Sequence, residues 1–308
     1  MKGNEVIAHA AIRYGCDGYF GYPITPQSEV METLMEEKPW ETTGMVVLQA
    51  ESEVSSINMV YGGASTGKRV MTSSSSPGVS LMSEGLSYLA GAELPCVVVN
   101  CQRGGPGLGT IQPSQGDYFQ ACKGGGHGDY HLVVFAPASV QESIDLMSVA
   151  FDTADKYQCP VMIVADGMIC QMMEPVVLPE MKEYKVDLEK KPWAANGHGL
   201  SKKSGRSIIN SMYITTEALT EHNEVLQACY REIEANEVRY EAYNMENAEI
   251  VVTAFGTVAR IAKSAIDELK EEGINIGMIR PITLWPFPTK ALHDAAVAPG
   301  IKAVLDVE

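Results

Sequence analysis

The sequence predicts an α/β protein with a doubly wound parallel sheet, followed by a second, smaller α/β unit. Short apolar runs alternate with helical patterns as far as Asp166, and the alternation resumes at Ile250. Three of the runs, residues 96–101, 132–135 and 160–165, are almost entirely apolar. Strands that are buried on both faces of a parallel sheet have this composition.

The first unit is predicted to begin with a helix over residues 4–14, because Asn4 suits an N-cap and Gly15 a helix stop. Strands and helices then alternate, and Pro77 suits the first turn of its helix. The predicted strands cover residues 17–20, 45–48, 69–74, 96–101, 132–135 and 160–165. The predicted helices cover residues 27–37, 51–65, 77–90 and 139–157. This order favours parallel strand pairing.

The second half of the chain starts with residues 174–211, which are rich in Lys, Glu, Pro, Gly and Ser and predict a surface linker. Thr216 is expected to cap a long charged helix to residue 243. The remaining predicted elements are strand 250–254, helix 258–271, strand 274–279, helix 289–296 and strand 302–307.

Three regions are therefore predicted: a domain over residues 1–173, a linker with a long helix over 174–246, and a domain over 247–308. A compact α/β domain usually closes with another helix, whereas the last predicted element here is a strand. We therefore expect a truncated second domain.

The composition bounds the class of protein. The 308 residues suffice for one large or two ordinary domains. The net charge of −16 argues against nucleic-acid or anionic-membrane binding, because both need basic patches. The seven cysteines contain no C-x-x-C pair, so no metal or cluster site is predicted and reduced core cysteines are favoured. No signal peptide or membrane-spanning run is present, which predicts a cytoplasmic protein.

Three segments that follow predicted strands carry the candidate chemistry: residues 21–26, 49–53 and 103–107. Open α/β sheets bind their ligands at this edge. A hydroxyl from Thr25, a carboxylate from Glu53 and a guanidinium from Arg103 would together suit a small anionic substrate.

Each of these side chains also has an ordinary interpretation. Thr25 lies between two prolines and by itself is best explained as a turn residue. Arg103 is either a surface charge or, in its glycine-rich loop, a bidentate carboxylate ligand. Glu51 and Glu53 open a helix, where acidic residues are favoured by the macrodipole. Apolar residues on the turns after Glu53 would bury it and favour proton sharing, and the sequence leaves both interpretations open.

Two further motifs are weaker. His127, within residues 124–129, is equally well explained as an acid/base group or as a loop histidine. Residues 62–69 approach a phosphate-binding loop, but position 69 is Arg and a helix precedes the motif. A helix-terminating turn is therefore favoured, and a kinase that uses Lys68 remains only a remote hypothesis, which the absence of a thermal shift with ATP would exclude.

Several long segments, in the same order along the chain, resemble segments of the α subunit of 2-oxoacid:ferredoxin oxidoreductases. The resemblance extends along essentially the whole chain. The matching segments are residues 21–28 (GYPITPQS), 49–59 (QAESEVSSINM), 72–82 (TSSSSPGVSLM) and 102–107 (QRGGPG). Residues 252–257 (VTAFGT) and 280–286 (RPITLWP) resemble the transketolase-C-terminal-like domain of the family.

The resemblance implies the pyrimidine-binding half of a thiamine diphosphate enzyme, in which Glu53 hydrogen-bonds the aminopyrimidine ring and assists removal of the thiazolium C2 proton. A 2-oxoacid then loses CO2, electrons pass one at a time to iron–sulfur clusters, and coenzyme A collects the acyl group. Thr25 and Arg103 match contacts to the substrate carboxylate. The other residues that match the family's cofactor-binding positions are Tyr22, Pro23, Ile24, Ser74 and Ser75.

Partner subunits are implied by what the chain lacks. Thiamine enzymes hold the diphosphate and Mg2+ with a Gly-Asp-Gly motif and a downstream Asn, whereas this chain has only Ala165-Asp166-Gly167, which is better explained as a strand end and turn. The resemblance therefore implies a β subunit with the diphosphate, Mg2+ and [4Fe-4S] cluster. It also implies γ and ferredoxin-like δ subunits, with ferredoxin as the electron acceptor.

The substrate is expected to be 2-oxoisovalerate, because residues 107–118 and 126–130 look more like the branched-chain members of the family. A 2-oxoglutarate enzyme is the nearest alternative. A non-catalytic scaffold with the same fold is a third hypothesis, and the presence of Thr25, Glu53 and Arg103 speaks against it.

Overall fold

The computed structural model describes residues 1–123, 125–182, 184, 190–195, 197 and 207–308. The described strands are β1 (Gly18–Gly21), β2 (Val46–Gln49), β3 (Val70–Ser74), β4 (Cys96–Gln102), β5 (Val133–Phe135), β6 (Pro160–Asp166), β7 (Tyr240–Tyr243), β8 (Ile250–Thr253), β9 (Ile276–Pro281), β10 (Thr283–Trp285) and β11 (Ala303–Asp306).

The described helices are α1 (Gly3–Arg13), α2 (Ser28–Glu37), α3 (Pro39–Thr42), α4 (Glu53–Ser65), α5 (Ser76–Leu81), α6 (Ser83–Gly91), α7 (Tyr118–Lys123), α8 (Val140–Tyr157), α9 (Gly167–Gln171), α10 (Thr216–Asn236), α11 (Gly256–Glu271) and α12 (Thr289–Ala296). The short helices α3, α7 and α9 have no counterpart in the prediction, since single turns carry little periodicity.

Two sheets organise these elements. The larger has the strand order β10-β5-β6-β4-β3-β1-β2, and the smaller has the order β11-β8-β9-β7. All pairs in the larger sheet are parallel except β10 with β5. The prediction of a doubly wound parallel sheet with a second, smaller α/β unit is therefore confirmed.

The chain passes between the two sheets more than once. β7 lies in the region predicted as a linker, yet it pairs antiparallel with β9 of the smaller sheet. β10 follows β9 in the chain but joins the edge of the larger sheet. The predicted boundaries at residues 173 and 246 stay a proposal, and part of the predicted linker lies outside the described residues.

The long helix was predicted to reach residue 243, and this prediction was wrong. α10 ends at Asn236, where the buried Glu237 side chain accepts hydrogen bonds from Lys156 Nζ and Tyr157 Oη, both at 2.9 Å. This anchor redirects the chain into β7. Thr215, one residue earlier than expected, caps the helix by accepting a bond from Ala218 N.

The first helix also starts differently from the prediction. Asn4 is not the cap: it lies inside α1 and is fully buried. Its Nδ2 donates to Pro26 O at 2.6 Å and to Glu29 Oε2 at 2.8 Å, so the residue ties α1 to the loop after β1. Gly15, with a φ of 74°, ends the helix as predicted.

The residues predicted as one helix over 77–90 form two, α5 and α6, which meet at Met82. Pro77 occupies the first turn of α5, as expected. The seven cysteines are free, and all but Cys229 are buried. Burial raises the pKa of the Cys96 thiol to about 12, which fits a core side chain. Among the described residues, no helix has the length and apolar character needed to cross a bilayer.

Candidate functional site

The candidate residues lie at the carboxyl edge of the larger sheet. From β1 the chain moves outward to β2 and then returns to β3 on the other side of β1. This reversal opens a crevice between β1 and β3, which is where open α/β sheets hold ligands. The strand register puts the ends of β1 and β2 side by side, with Gly21 opposite Gln49.

Glu53 is the first residue of α4, and only 5% of its surface is exposed. Ser52 caps the helix by accepting a hydrogen bond from Ser55 N at 3.2 Å. A carboxylate in the first turn is favoured by the positive end of the helix dipole. No hydrogen bond to the Glu53 carboxylate occurs within the part of the chain that the structure describes.

The burial of Glu53 comes from the β3–α5 connection. A Cβ added to Gly78 would lie 2.6 Å from Glu53 Oε1 and 2.1 Å from Ser74 Oγ, so these three residues form one tight contact. Of the apolar residues after Glu53 that were expected to bury it, Ile57 is buried and the other two are exposed. Val54 and Met59 are 45% and 37% exposed, because they lie on the outer face of α4.

Polar groups without partners surround this contact. The hydroxyls of Thr72, Ser74 and Ser75 are buried and have no hydrogen-bond partner among the described residues. Buried hydroxyls in folded proteins are normally paired, so a run of unpaired ones indicates a place where a polar ligand binds. Ser74 and Ser75 were predicted as cofactor contacts, and Ser74 lies against Gly78, as Glu53 does.

The loop after β1 faces the same crevice. Gln27 holds it: Nε2 donates to Tyr22 O at 3.0 Å, and the backbone N donates to Ile24 O at 2.9 Å. Gln27 Oε1 in turn accepts a bond from Ser73 Oγ of β3 at 2.7 Å. Residues 22–24 are therefore fixed against the strand that carries the unpaired hydroxyls.

Arg103 and Thr25 are brought together, but not through the Thr25 hydroxyl. Arg103 Nη1 donates to Thr25 O at 2.8 Å, and Nη2 donates to Leu108 O at 3.1 Å. Arg103 is 8% exposed, and its buried Nε has no partner among the described residues. Thr25 itself is exposed. The guanidinium thus closes its own loop onto the Thr25 loop and keeps donors free for an anion.

One polar network in the site was missed by sequence reasoning. Asp117 Oδ2 accepts hydrogen bonds from Ser76 Oγ and from Asn100 Nδ2, the latter at 2.9 Å. Asn100 Oδ1 accepts a bond from Ser76 N at 3.0 Å. The network fixes the start of α5 to the loop after β4. Its sequence signal is Asn100, a polar residue inside an otherwise apolar strand.

A cavity of about 510 Å3 is lined by charged residues of α8, α11 and β9, and a second, of about 480 Å3, lies beside Thr25. The second has Ile111 and Met168 in its wall and Glu29 and Glu32 as its acidic groups. Burial alone would raise the pKa of Glu29, but hydrogen bonds from its own amide, Gln171, Asn4 and Lys2 together lower it. The cavity beside Thr25 therefore carries negative charge.

The remaining candidates lie elsewhere. His127 is exposed and meets the edge of the Tyr88 ring, with 6.0 Å between ring centroids. Gly124 of its motif is outside the described residues. Lys68 pairs with Asp17 at 2.8 Å, and Gly67, with a φ of 83°, ends the turn after α4. The helix-terminating turn is confirmed, and no group of three metal-binding side chains occurs among the residues described.

The fold and the site define an α/β enzyme module with a crevice at the switch point of an open sheet, the place where such sheets hold ligands. The family model of the thiamine-diphosphate-binding domain of pyruvate flavodoxin/ferredoxin oxidoreductases matches residues 9–242. The model of pyruvate:ferredoxin oxidoreductase core domain II matches residues 248–308. The chain therefore belongs to the family of 2-oxoacid:ferredoxin oxidoreductases, as its motifs predicted.

Individual relatives agree. The ketoisovalerate oxidoreductase subunit VorB of Methanothermobacter marburgensis is 49% identical over 96% of this chain and 82% of its own length. The 2-oxoglutarate synthase subunit KorA of Methanocaldococcus jannaschii is 36% identical over 95% of this chain and 84% of its own.

A solved structure has the same fold: the 2-oxoglutarate:ferredoxin oxidoreductase from Magnetococcus marinus with 2-oxoglutarate, coenzyme A and succinyl-CoA bound. Its TM-score with this chain is 0.84 at 25% identity, over 99% of this chain. The match spans 57% of the solved chain.

Proposed function

We propose that this chain is the α subunit of a 2-oxoacid:ferredoxin oxidoreductase that decarboxylates 2-oxoisovalerate with thiamine diphosphate and coenzyme A and passes the electrons to ferredoxin. One observation carries the proposal: a buried carboxylate, Glu53, begins a helix at the sheet's switch point and lies, like the buried, unpaired hydroxyl of Ser74, against Gly78. A polar heterocycle at this place would satisfy both groups.

The residues fit the pyrimidine half of thiamine diphosphate. Glu53 would bind a ring nitrogen, Ser74 and Ser75 would bond to the exocyclic amine, and residues 22–24 would cover the ring. Gly78 is needed for this fit, because a side chain there would collide with both Glu53 and Ser74. Bound thiamine diphosphate would supply a carbon nucleophile and an electron sink for decarboxylation.

This chain's own residues would then bind, orient and move a proton. Glu53 shares a proton with the ring nitrogen, and its near-complete burial keeps water from competing for that bond. Arg103 binds the 2-oxoacid carboxylate with the donors that its bonds to Thr25 O and Leu108 O leave free, and the exposed Thr25 hydroxyl adds a second contact.

Partner subunits complete the enzyme in this proposal. Within the described residues, the Asp166 carboxylate caps α9 and accepts a hydrogen bond from Thr257. In this proposal it therefore does not bind the Mg2+ of the diphosphate. We assign the diphosphate, the Mg2+ and a [4Fe-4S] cluster to a β subunit. Further γ and ferredoxin-like δ subunits would bring coenzyme A and carry electrons to ferredoxin.

Two observations favour a branched apolar substrate over 2-oxoglutarate. The loop that follows Arg103 presents Leu108 and Ile111, which are 82% and 58% exposed, near the proposed substrate site. The cavity beside Thr25 carries the ionised Glu29, which would repel the second carboxylate of 2-oxoglutarate. The higher identity to the ketoisovalerate subunit than to the 2-oxoglutarate subunit points in the same direction.

Reconstitution tests this proposal. The purified chain alone should not turn over any 2-oxoacid, whereas its complex with the neighbouring subunits should reduce viologen in a reaction that depends on thiamine diphosphate and coenzyme A. Turnover by the chain alone would refute the half-site assignment. A complex that binds its cofactors but turns over no 2-oxoacid would favour the non-catalytic scaffold.

A further inference from the structure

The end of β6 carries a carboxylate that joins the two sheets of the molecule. Asp166, 4% exposed, accepts bonds from Met168 N at 3.0 Å and Ile169 N at 3.1 Å, which caps α9. It also accepts bonds from Thr257 Oγ1 at 2.8 Å and Thr257 N at 3.2 Å. Thr257 lies in the first turn of α11, which packs on the smaller sheet, so one side chain connects both units.

The helix that Asp166 caps touches both proposed substrate loops. A Cβ added to Gly167, the first residue of α9, would lie 3.3 Å from Pro26 Cγ and 3.5 Å from Pro113 Cα. Pro26 directly follows Thr25, and Pro113 forms an isolated β-bridge with Arg103. A shift of α9 would therefore move the backbone beside both substrate contacts.

A second link runs directly from the Arg103 loop to the smaller unit. Gln115 Nε2 donates to Phe255 O at 2.8 Å, just before α11. Gly256 has a φ of 57°, and a Cβ there would lie 2.7 Å from Gln115 Nε2, so the contact depends on glycine. The Phe255 and Tyr118 rings lie 5.9 Å apart beside it.

These two links converge on the guanidinium that binds substrate in the proposed function. Arg103 donates to carbonyls on two loops, Thr25 O and Leu108 O. The Leu108 loop contacts Phe255 through Gln115. The Thr25 loop contacts α9, which Asp166 ties to Thr257. One of the two polar contacts is made by the Arg103 loop itself, and the other reaches the Thr25 loop through α9.

We propose that Thr257 and Gln115 are positioning residues: the start of α11 holds the Arg103 and Thr25 loops in the geometry that binds the 2-oxoacid carboxylate. Neither residue touches the substrate. Thr257 acts through Asp166 and α9, and Gln115 acts through the loop itself. This inference rests on the proposed function, because it assigns a purpose to the geometry of Arg103.

Thr257→Val in the complete complex is the central test, because it removes one hydroxyl donor at nearly constant volume and keeps the bond from the Thr257 amide. We expect KM for the 2-oxoacid to rise about three- to tenfold, while kcat changes less than about twofold. Gln115→Leu should act in the same direction, and Thr257→Ser should restore most of the wild-type KM. Thr220→Val, an exposed threonine in α10, serves as the control and should leave KM unchanged.

Hydrogen exchange of the loop separates this inference from the proposed function. Gly104 N and Thr110 N are bonded within the loop, to Gln112 O and Gly104 O, and both amides should exchange faster in Thr257→Val than in Thr220→Val. Unchanged exchange together with an unchanged KM would overturn the inference. It would also be overturned if KM rose and kcat fell by equal factors and both effects followed a fall in the melting temperature. Faster exchange in a complex whose wild type turns over no 2-oxoacid would support the mechanical link and refute the proposed function.

Discussion

At the scale of single residues, the chemistry depends on which carboxylate of residues 51–53 is buried. Glu51 is exposed and accepts a bond from Ser55 Oγ at 3.0 Å, whereas Glu53 is buried against Gly78 and Ser74. The sequence predicted that one of the two acids would simply favour the helix start. It did not predict the burial of Glu53 by the β3–α5 connection, because that contact joins residues far apart in the chain.

Glu53→Gln should lower kcat of the reconstituted complex by roughly 10²- to 10⁴-fold, the usual cost of removing a general acid–base group. The amide keeps the volume of the side chain but cannot share a proton. Steady-state turnover with viologen measures the effect. Glu51→Gln is the matched control and should stay within twofold of wild type; equal activity of the two variants would revive the scaffold hypothesis.

Arg103→Ala should mainly weaken substrate binding. A charge-assisted hydrogen bond contributes about 1.5–3 kcal/mol, so KM should rise about 10- to 150-fold with a smaller change in kcat. Because Arg103 also closes its loop, melting temperatures should be measured alongside, and Arg103→Lys should retain part of the binding. The exposed Arg231→Ala is the control. A normal KM in Arg103→Ala would exclude the residue as a carboxylate ligand.

At the scale of elements, the sequence predicted the strands of the larger sheet well, because buried parallel strands are apolar along their length. The prediction from sequence failed at β7, an exposed segment whose sequence pattern predicts the end of a charged helix. It also failed at β10, which leaves its neighbour β9 and joins the larger sheet. The break between α5 and α6 at Met82 carries no glycine or proline signal.

Gly78→Ala tests the contact between α5 and α4. The added Cβ would lie 2.1 Å from Ser74 Oγ and 2.6 Å from Glu53 Oε1, so one of them must move. We expect kcat to fall by more than tenfold, while the melting temperature of the complex falls by only a few degrees. Gly62→Ala, on the open face of α4, has nothing within 4 Å and should be neutral or stabilising by about 0.5–1 kcal/mol. Similar turnover in both variants would contradict the tight contact.

At the scale of the whole molecule, ion pairs join the smaller sheet to the larger. Arg280 of β9 binds both oxygens of Glu142 at 2.8 and 2.9 Å and Glu241 at 2.8 Å. Arg260 of α11 pairs with Glu174. The sequence predicted the two units but not this junction, because pairs of opposite charge that lie far apart in the chain have no local signature.

These pairs make stability depend on acidic pH. Burial alone would raise the pKa of Glu241, but bonds from Lys263 and Arg280 lower it. For Glu174, burial is likewise outweighed by bonds from Val140 N and Arg260, which lower its pKa. Both carboxyls therefore stabilise the fold above the usual glutamate pKa of about 4.3, and this stability is lost as the pH falls through their lower folded values.

Thermal melting of the complex between pH 7 and pH 3.5 should be nearly flat above about pH 5 and fall steeply below about pH 4.3. Glu241→Gln should lower the melting temperature at pH 7 and make the fall in melting temperature at acidic pH less steep. Glu268→Gln, which changes an exposed carboxylate of α11, should change neither. The same fall in melting temperature at acidic pH in the wild type and both variants would show that these pairs do not link folding to pH.

The most direct test of the whole account is the ratio of kcat/KM for 2-oxoisovalerate and 2-oxoglutarate, measured with the complete complex, coenzyme A and viologen. We predict a clear preference for 2-oxoisovalerate that disappears without thiamine diphosphate. A preference for 2-oxoglutarate would keep the mechanism but contradict the roles given to Leu108, Ile111 and Glu29. Activity that does not require thiamine diphosphate would contradict the account at its centre.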